Sequence, residues 1–284
     1  MRSKARLASG PGFALEEARC ADLAPSGWSP PEPTGGYSLV LVRTGLFRRR
    51  VGSAEELLDP AAGYWERPGD EQQVAHPRGD GDTCTALTLS EELMGALTGG
   101  APAVPADPVL TADDLDLSHR AMVARARAGA EPWELGERVV RLASTALAQR
   151  LPERVASGRP ATATARRRLV DAAREAVGVE PGPLGLVELA RLVGASPHHL
   201  SRVFQQETGA TLTRFRNRLR TRRALERLAA GEPDLARLAA DLGFADHAHL
   251  TRTLREQLGH TPSQLRRLLE SQALGRTPPP RALV

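Results

Sequence analysis

Apolar and polar positions in the last hundred residues follow a helical period, and the pattern runs twice. Leu189-Ala190-Arg191-Leu192-Val193-Gly194 returns as Leu238-Ala239-Ala240-Asp241-Leu242-Gly243. Leu200-Ser201-Arg202-Val203-Phe204 returns as Leu250-Thr251-Arg252-Thr253-Leu254, with the register slipped so that one residue is inserted in the second connection. Gly194 and Gly243 suit a tight turn, Ser196 and Asp246 suit N-caps, and Pro197 suits a first helical position. The pattern predicts two helix-turn-helix units, the motif that lays its second helix in the major groove of DNA. In the first unit Leu200, Val203 and Phe204 face inward and leave His198, Ser201, Arg202 and Gln205 outside. In the second, Leu250, Leu254 and Leu258 face inward and leave His247, His249, Thr251, Arg252 and Arg255 outside. A polar helix face is often merely solvated, but these groups are also of the kind that reads base edges, arginine on guanine and glutamine on adenine. Between the units, residues 212–230 predict a rigid connecting helix ended by Gly231, and Thr261-Pro262 opens a last helix through Leu269.

Upstream the period changes. Short β segments are expected at residues 37–42, 46–51, 63–66, 72–76 and 83–89, punctuated by Thr44-Gly45, Pro68-Gly69 and the run 79–82, which suggests a small barrel or sandwich. Residues 1–35 read as irregular, rich in Pro and Gly. Beyond residues 101–108 the signal is helical, and Leu135, Val139, Leu142, Ala143, Ala146 and Leu147 form one apolar stripe between Pro132 and Pro152. That stripe is a candidate for dimer contacts, for packing between domains, or for covering the barrel. The expected organisation is a β domain at 1–110, a helical segment at 111–153, a linker at 154–165, a DNA-binding domain at 166–270 and a tail at 271–284.

Charge sharpens this picture. Residues 1–158 hold 17 Lys and Arg against 22 Asp and Glu, whereas residues 159–284 hold 21 against 12. A basic half that coincides with the repeat fits phosphate contact confined to one domain. No apolar run long enough to span a membrane occurs, no secretory signal opens the chain, and two cysteines are too few for a disulfide framework. A cytoplasmic protein without a membrane partner is expected.

Two groups of side chains carry candidate sensing chemistry. Tyr37, Phe47, Tyr64 and Trp65 are candidates to line a site for a small organic effector, with plain core packing as the alternative. Cys20, His76 and Cys84 offer thiolates and an imidazole, which suit zinc or copper, or a thiol redox pair. Two inert cysteines and a surface histidine are the plain alternative. No other cofactor is expected. His198-His199 and His247-Ala248-His249 lack the i, i+4 spacing that would bring ligands onto one helix face, so no metal site is assigned there. No nucleophile triad, phosphate loop or paired-carboxylate pattern is evident, and the expectation is not an enzyme.

Residues 166–270 resemble the DNA-binding domain of AraC/XylS transcription regulators. The matching features are Ser196-Pro197, Leu200-Ser201-Arg202-Val203-Phe204, Thr208-Gly209 with Leu212, Arg220 with Ala224, and Ala239 with Leu242-Gly243-Phe244 and Asp246. Arg252 with Gly259, Thr261-Pro262 and Arg266 is the most specific part. Ala248 stands where a serine is usual, and Leu250, Leu254 and Leu265 where aromatics are usual. Residues 36–89 more weakly resemble a cupin-like sensor barrel, with Arg67-Pro68-Gly69 at a typical turn but without the clustered metal-binding histidines. The resemblance implies an α+β chain. Its N-terminal β-barrel would sense an effector, a helical segment would serve dimerisation or domain contact, and an all-α domain would carry two helix-turn-helix units joined by a long helix. It implies a regulator that binds promoter or operator DNA, a homodimer, and RNA polymerase as a further partner for an activator. A redox- or metal-responsive regulator is the second reading. An enzyme fused to a DNA-binding module, as some alkyl-transfer repair proteins are, is the third.

Overall fold

The computed structural model describes residues 2–20, 27–77, 79, 81–149, 160–179 and 184–270. The expected tail at 271–284 and the first half of the expected linker, 154–159, lie outside the described residues.

Among the described residues the N-terminal half builds two antiparallel sheets. In chain order the strands are β1 (Arg2–Gly10), β2 (Phe13–Cys20), β3 (Glu32–Pro33), β4 (Tyr37–Thr44), β5 (Phe47–Val51), β6 (Ala54–Leu58), β7 (Ala62–Glu66), β8 (Glu71–Ala75), β9 (Asp82–Leu89) and β10 (Val109–Leu110). One sheet has the order β1-β2-β9-β4-β7-β10 and the other the order β3-β8-β5-β6. The sheets face one another and neither closes on itself, so an open pair of sheets stands where a barrel was expected.

The two faces of the larger sheet explain its sequence. In β4, Val40 and Val42 point to the space between the sheets, where they meet Phe47, Leu58, Ala62, Tyr64 and Cys84. Leu39 and Leu41 point the other way, into a cluster with Phe13, Leu15, Trp65, Leu87 and helical residues. A strand buried on both faces needs no polar alternation, which is why β4 reads as a continuous apolar run.

Within the stretch expected to be irregular, residues 2–20 instead form a hairpin of β1 and β2. The turn residues Pro11-Gly12 tie it, with Gly12 at φ +77°. Phe13 and Leu15 supply its buried face, and Glu17 continues that face as a buried charge. This carboxylate interrupts the apolar alternation that would have marked β2.

Three helices cover the outer face: α1 (Glu91–Thr98), α2 (Asp113–Arg127) and α3 (Pro132–Ala148). The predicted stripe of α3 lies in the cluster of Phe13, Leu15 and Leu39, so those side chains are spent on the sheet and not on a dimer seam. The C-terminal half is helical: α4 (Pro160–Val179), α5 (Leu186–Leu192), α6 (Pro197–Thr208), α7 (Leu212–Ala229), α8 (Leu235–Asp241), α9 (His247–Leu258) and α10 (Pro262–Leu269). Helix α4 starts inside the stretch expected as linker. Pro160 is suited to a helix start and the alternating alanines to its continuation, while Arg166 pairs with Glu207 of α6 at 3.2 Å. No helix among the described residues is long and apolar enough to cross a membrane.

Candidate DNA-recognition surface

The two repeats fold alike down to their caps. In the first turn Gly194 has φ +67° and Ala195 N–H donates to Ala190 O at 2.9 Å. In the second, Gly243 has φ +70° and Phe244 N–H donates to Ala239 O at 2.9 Å. The extra residue of the second connection is therefore Ala245, placed after this shared closure and before the cap. Ser196 Oγ accepts from His199 N–H, and Asp246 Oδ1 accepts from His249 N–H at 2.6 Å. Each second helix ends at a left-handed glycine, Gly209 and Gly259.

These caps fix where each reading helix begins. Ser196→Ala and Asp246→Ala should each lower stability by about 1 kcal/mol, measured by denaturant unfolding.

Burial along α6 and α9 has the same pattern. Leu200, Val203 and Phe204 are buried in the first unit, and Leu250, Thr253 and Leu254 in the second. Phe204 packs edge-on against Phe215 of α7, with ring centroids 5.3 Å apart. His198, Arg202 and Gln205 are exposed and Ser201 is half-buried. On α9, His247, Arg252 and Arg255 are exposed. His249 and Thr251 are half-buried and locally engaged: His249 Nδ1 accepts from Ala245 N–H at 3.3 Å, and Thr251 Oγ1 donates to His247 O at 2.8 Å. The His249 ring also meets Phe244 edge-on, 5.3 Å between centroids. His249 therefore helps to build the second turn, in which it holds the inserted Ala245.

The helix between the units does more than space them. Glu226 of α7 accepts from Arg43 Nη2 of β4 and from Arg120 Nη1 of α2, the latter at 2.5 Å. Arg43 in turn donates to Glu17 of β2 at 2.5 Å, and Arg120 pairs with Asp116 at 2.9 Å. Arg222, 1% exposed, donates to Thr111 Oγ1 at 2.7 Å and to the carbonyls of Thr111 and Pro60. A second contact joins Arg174 of α4 to Asp59 at 2.6 Å and Arg48 of β5 to Glu175 at 2.7 Å. The neighbouring arginines hold the carboxyls of Glu17, Asp116 and Glu226 below their usual range, even though burial alone would raise them. Sequence patterning missed this network, because charged residues on a helix read as solvated until a second domain is placed on them.

The candidate sensor residues divide by strand parity. Phe47 and Tyr64 lie between the sheets, edge to face at 6.5 Å. Trp65 and Tyr37 belong to the cluster on the opposite face, beneath the helices. The four therefore do not share one lining. Cys20 and His76 come together with Asp82, whereas Cys84 is linked to them through Asp82. The carboxylate of Asp82 lies 2.5 Å from His76 Nε2 and accepts from Cys84 Sγ at 3.1 Å. Ligand atoms of Cys20, His76 and Asp82 all lie within 4.8 Å of one another. In the sequence Asp82 stands only as part of the polar run 79–82. Its position opposite Cys20 in the β2–β9 register was the missing information.

Known proteins resemble the C-terminal part of the chain. A family profile described as a helix-turn-helix domain matches residues 189–268. The HTH-type transcriptional regulator GlxA of Rhizobium meliloti is 32% identical over 85 residues, 30% of this chain and 26% of that protein. The bifunctional transcriptional activator/DNA repair enzyme Ada of Escherichia coli is 38% identical over 84 residues, 30% of this chain and 23% of that protein. The chain thus spans about a quarter of the length of the curated relatives it matches. Among solved structures, a transcriptional regulator from Chromobacterium violaceum with an AraC-type DNA-binding domain is 25% identical with a TM-score of 0.35, covering 38% of this chain and 96% of that one. The motif set, the doubled turn geometry and the sequence matches agree that residues 189–268 of this chain form a helix-turn-helix domain similar to those of transcriptional regulators.

Proposed function

We propose that the chain is a cytoplasmic, sequence-specific DNA-binding transcription regulator whose N-terminal domain controls how its two reading helices are presented. The observation that carries this reading is the duplicated, capped helix with an exposed polar face, once as His198, Arg202 and Gln205 and once as His247, Arg252 and Arg255. Control by the N-terminal domain is supported by the docking of α7, the helix that spaces the units, onto Arg43, Thr111 and Arg120. A cavity of about 360 Å³ between β6, α4 and α7, bordered by Glu56, Arg174, Phe215 and Arg218, lies at this same junction. It is the place we assign to a small effector, because a molecule there touches both domains and can favour one relation between them. The enzyme reading is set aside: the similarity to Ada is confined to the helix-turn-helix region.

The test is fluorescence anisotropy with DNA from upstream of the chain's own gene, against random-sequence competitor. Arg202→Ala and Arg252→Ala should each lower specific affinity by about 1–3 kcal/mol if the arginine reads a base. Equal losses on specific and random DNA, with a flatter salt dependence, would assign that arginine to phosphate instead. Unchanged binding in both variants would overturn the placement of these helix faces on DNA.

A further inference from the structure

We propose that Cys20, His76 and Asp82 hold a zinc-class divalent cation in the space between the two sheets. The inference goes beyond the DNA-binding reading and holds or fails without it.

Three elements bring the ligands together. Cys20 is the last residue of β2 and lies directly opposite Asp82, the first residue of β9. Ala18 and Ala86 on these strands pack into the cluster between the sheets, and strand parity puts Cys20, Asp82 and Cys84 on that same inner face. His76 follows β8 in the other sheet and reaches across, its ring 5.9 Å from Phe47. His76 and Asp82 are buried, while Cys20 is half-buried at the rim and gives an ion a way in.

The donor set selects the ion. One thiolate, one imidazole and one carboxylate suit zinc and do not suit magnesium or calcium, which take oxygen donors. The Cys20 thiol loses its proton to solvent on binding, and thiolate and carboxylate then balance a doubly charged ion. Donor atoms on one tetrahedral zinc lie about 3.3–3.7 Å apart, given bonds of about 2.0–2.3 Å. The three ligand atoms already lie within 4.8 Å of each other, and a small rotation of Asp82 opens the 2.5 Å contact with His76 to that spacing. Cys84 is the outer partner: its thiol donates to Oδ2 at 3.1 Å and orients the carboxylate. Three protein ligands leave a fourth position for water or an incoming molecule.

A disulfide between the two cysteines fits less well. Cys84 pairs with Ala18 in the register, so Cys20 and Cys84 are diagonal neighbours. Diagonal positions lie about 7–8 Å apart, beyond the span a disulfide bridges without backbone movement.

The experiment is titration of the reduced, chelator-treated full chain with Co²⁺, followed by Zn²⁺. One equivalent of Co²⁺ should bring up a thiolate-to-cobalt charge-transfer band that Zn²⁺ bleaches, and Zn²⁺ should raise Tm. Cys20→Ser, a near-isosteric change at a half-buried position, should abolish the band and weaken Zn²⁺ binding on the order of 100-fold, with far-UV circular dichroism unchanged. Cys84→Ala should keep the band. The proposal is overturned by a wild-type chain that shows no band, by a band that survives in Cys20→Ser, or by a band that depends on Cys84.

Discussion

Glu226→Ala should split the unfolding of this chain into two transitions. The Glu226 carboxylate ties α7 to both Arg43 and Arg120, whose side chains are only 3% exposed. Without it these cations keep Glu17 and Asp116 but lose the acceptor that links them to the C-terminal domain. Removing one partner of a buried ion pair costs about 3–5 kcal/mol, because the remaining charge stays out of water. The loss falls on the junction and not on either core: the two helix-turn-helix units have apolar clusters centred on Phe204 and on Leu250 with Leu254, and the sheets have their own. Trp28, Trp65 and Trp133 all lie in the N-terminal half, so tryptophan fluorescence follows that half alone. Far-UV circular dichroism is dominated by helix and weights the C-terminal half. In the wild type the two probes should give one coincident transition. In Glu226→Ala they should separate. Coincident curves with an unmoved midpoint would mean that the charge network is not what joins the domains.

The second large effect is an acid sensitivity centred on His119. Its ring is 1% exposed, and burial lowers its pKa from 6.5 to about 3. Asp116 on the same helix and Glu226 on α7 pull the value up, while Arg120 on α2 and Arg43 on β4 push it down. Below pH 6.5 the unfolded chain takes up a proton that the folded chain refuses, so stability falls from pH 6.5 toward the folded pKa. At 1.36 kcal/mol per pH unit the penalty is about 2 kcal/mol at pH 5 and about 3 at pH 4. Glu17, Asp116 and Glu226 act in the same direction at lower pH. Their folded pKa values are depressed, so their contribution is complete above about 4.5 and is lost as pH falls through those depressed values. His119→Leu should remove the loss between pH 6.5 and 5 and leave the steeper one below. Because His119 Nε2 has no hydrogen-bond partner among the described residues, an apolar replacement sacrifices little. Urea midpoints at pH 7.5 and pH 5 decide it, and an unchanged slope in the variant would acquit the histidine.

The C-terminal domain was legible in the sequence because its signals are local. A capped helix, a turn glycine and an apolar triplet such as Leu200, Val203 and Phe204 lie within one run of chain, and the repeat states them twice. The N-terminal domain was legible only where strands alternate or run apolar. Strand β6, Ala54-Glu55-Glu56-Leu57-Leu58, shows no period because its first half is exposed while Leu57 and Leu58 are buried. Helix α2 mixes the buried Leu115 and Met122 with the buried charges Asp116 and Arg120, so its inward face does not look apolar. The same cause hid the domain junction, where arginines and carboxylates replace the hydrophobic contacts that periodicity detects. The cysteine–histidine grouping was visible in outline. Asp82 was not, since strand register is a long-range property and Cys20 stands far from it in the chain.

The two reading helices share a scaffold but not a text. Their buried positions match, whereas Gln205 on one occupies the place of Arg255 on the other, and the second enters through a turn lengthened by Ala245. A single copy bound to DNA as proposed is therefore an arrow and not a palindrome: it has a head and a tail along the duplex. Inverting its operator would leave every contact intact yet point the N-terminal domain the other way along the promoter.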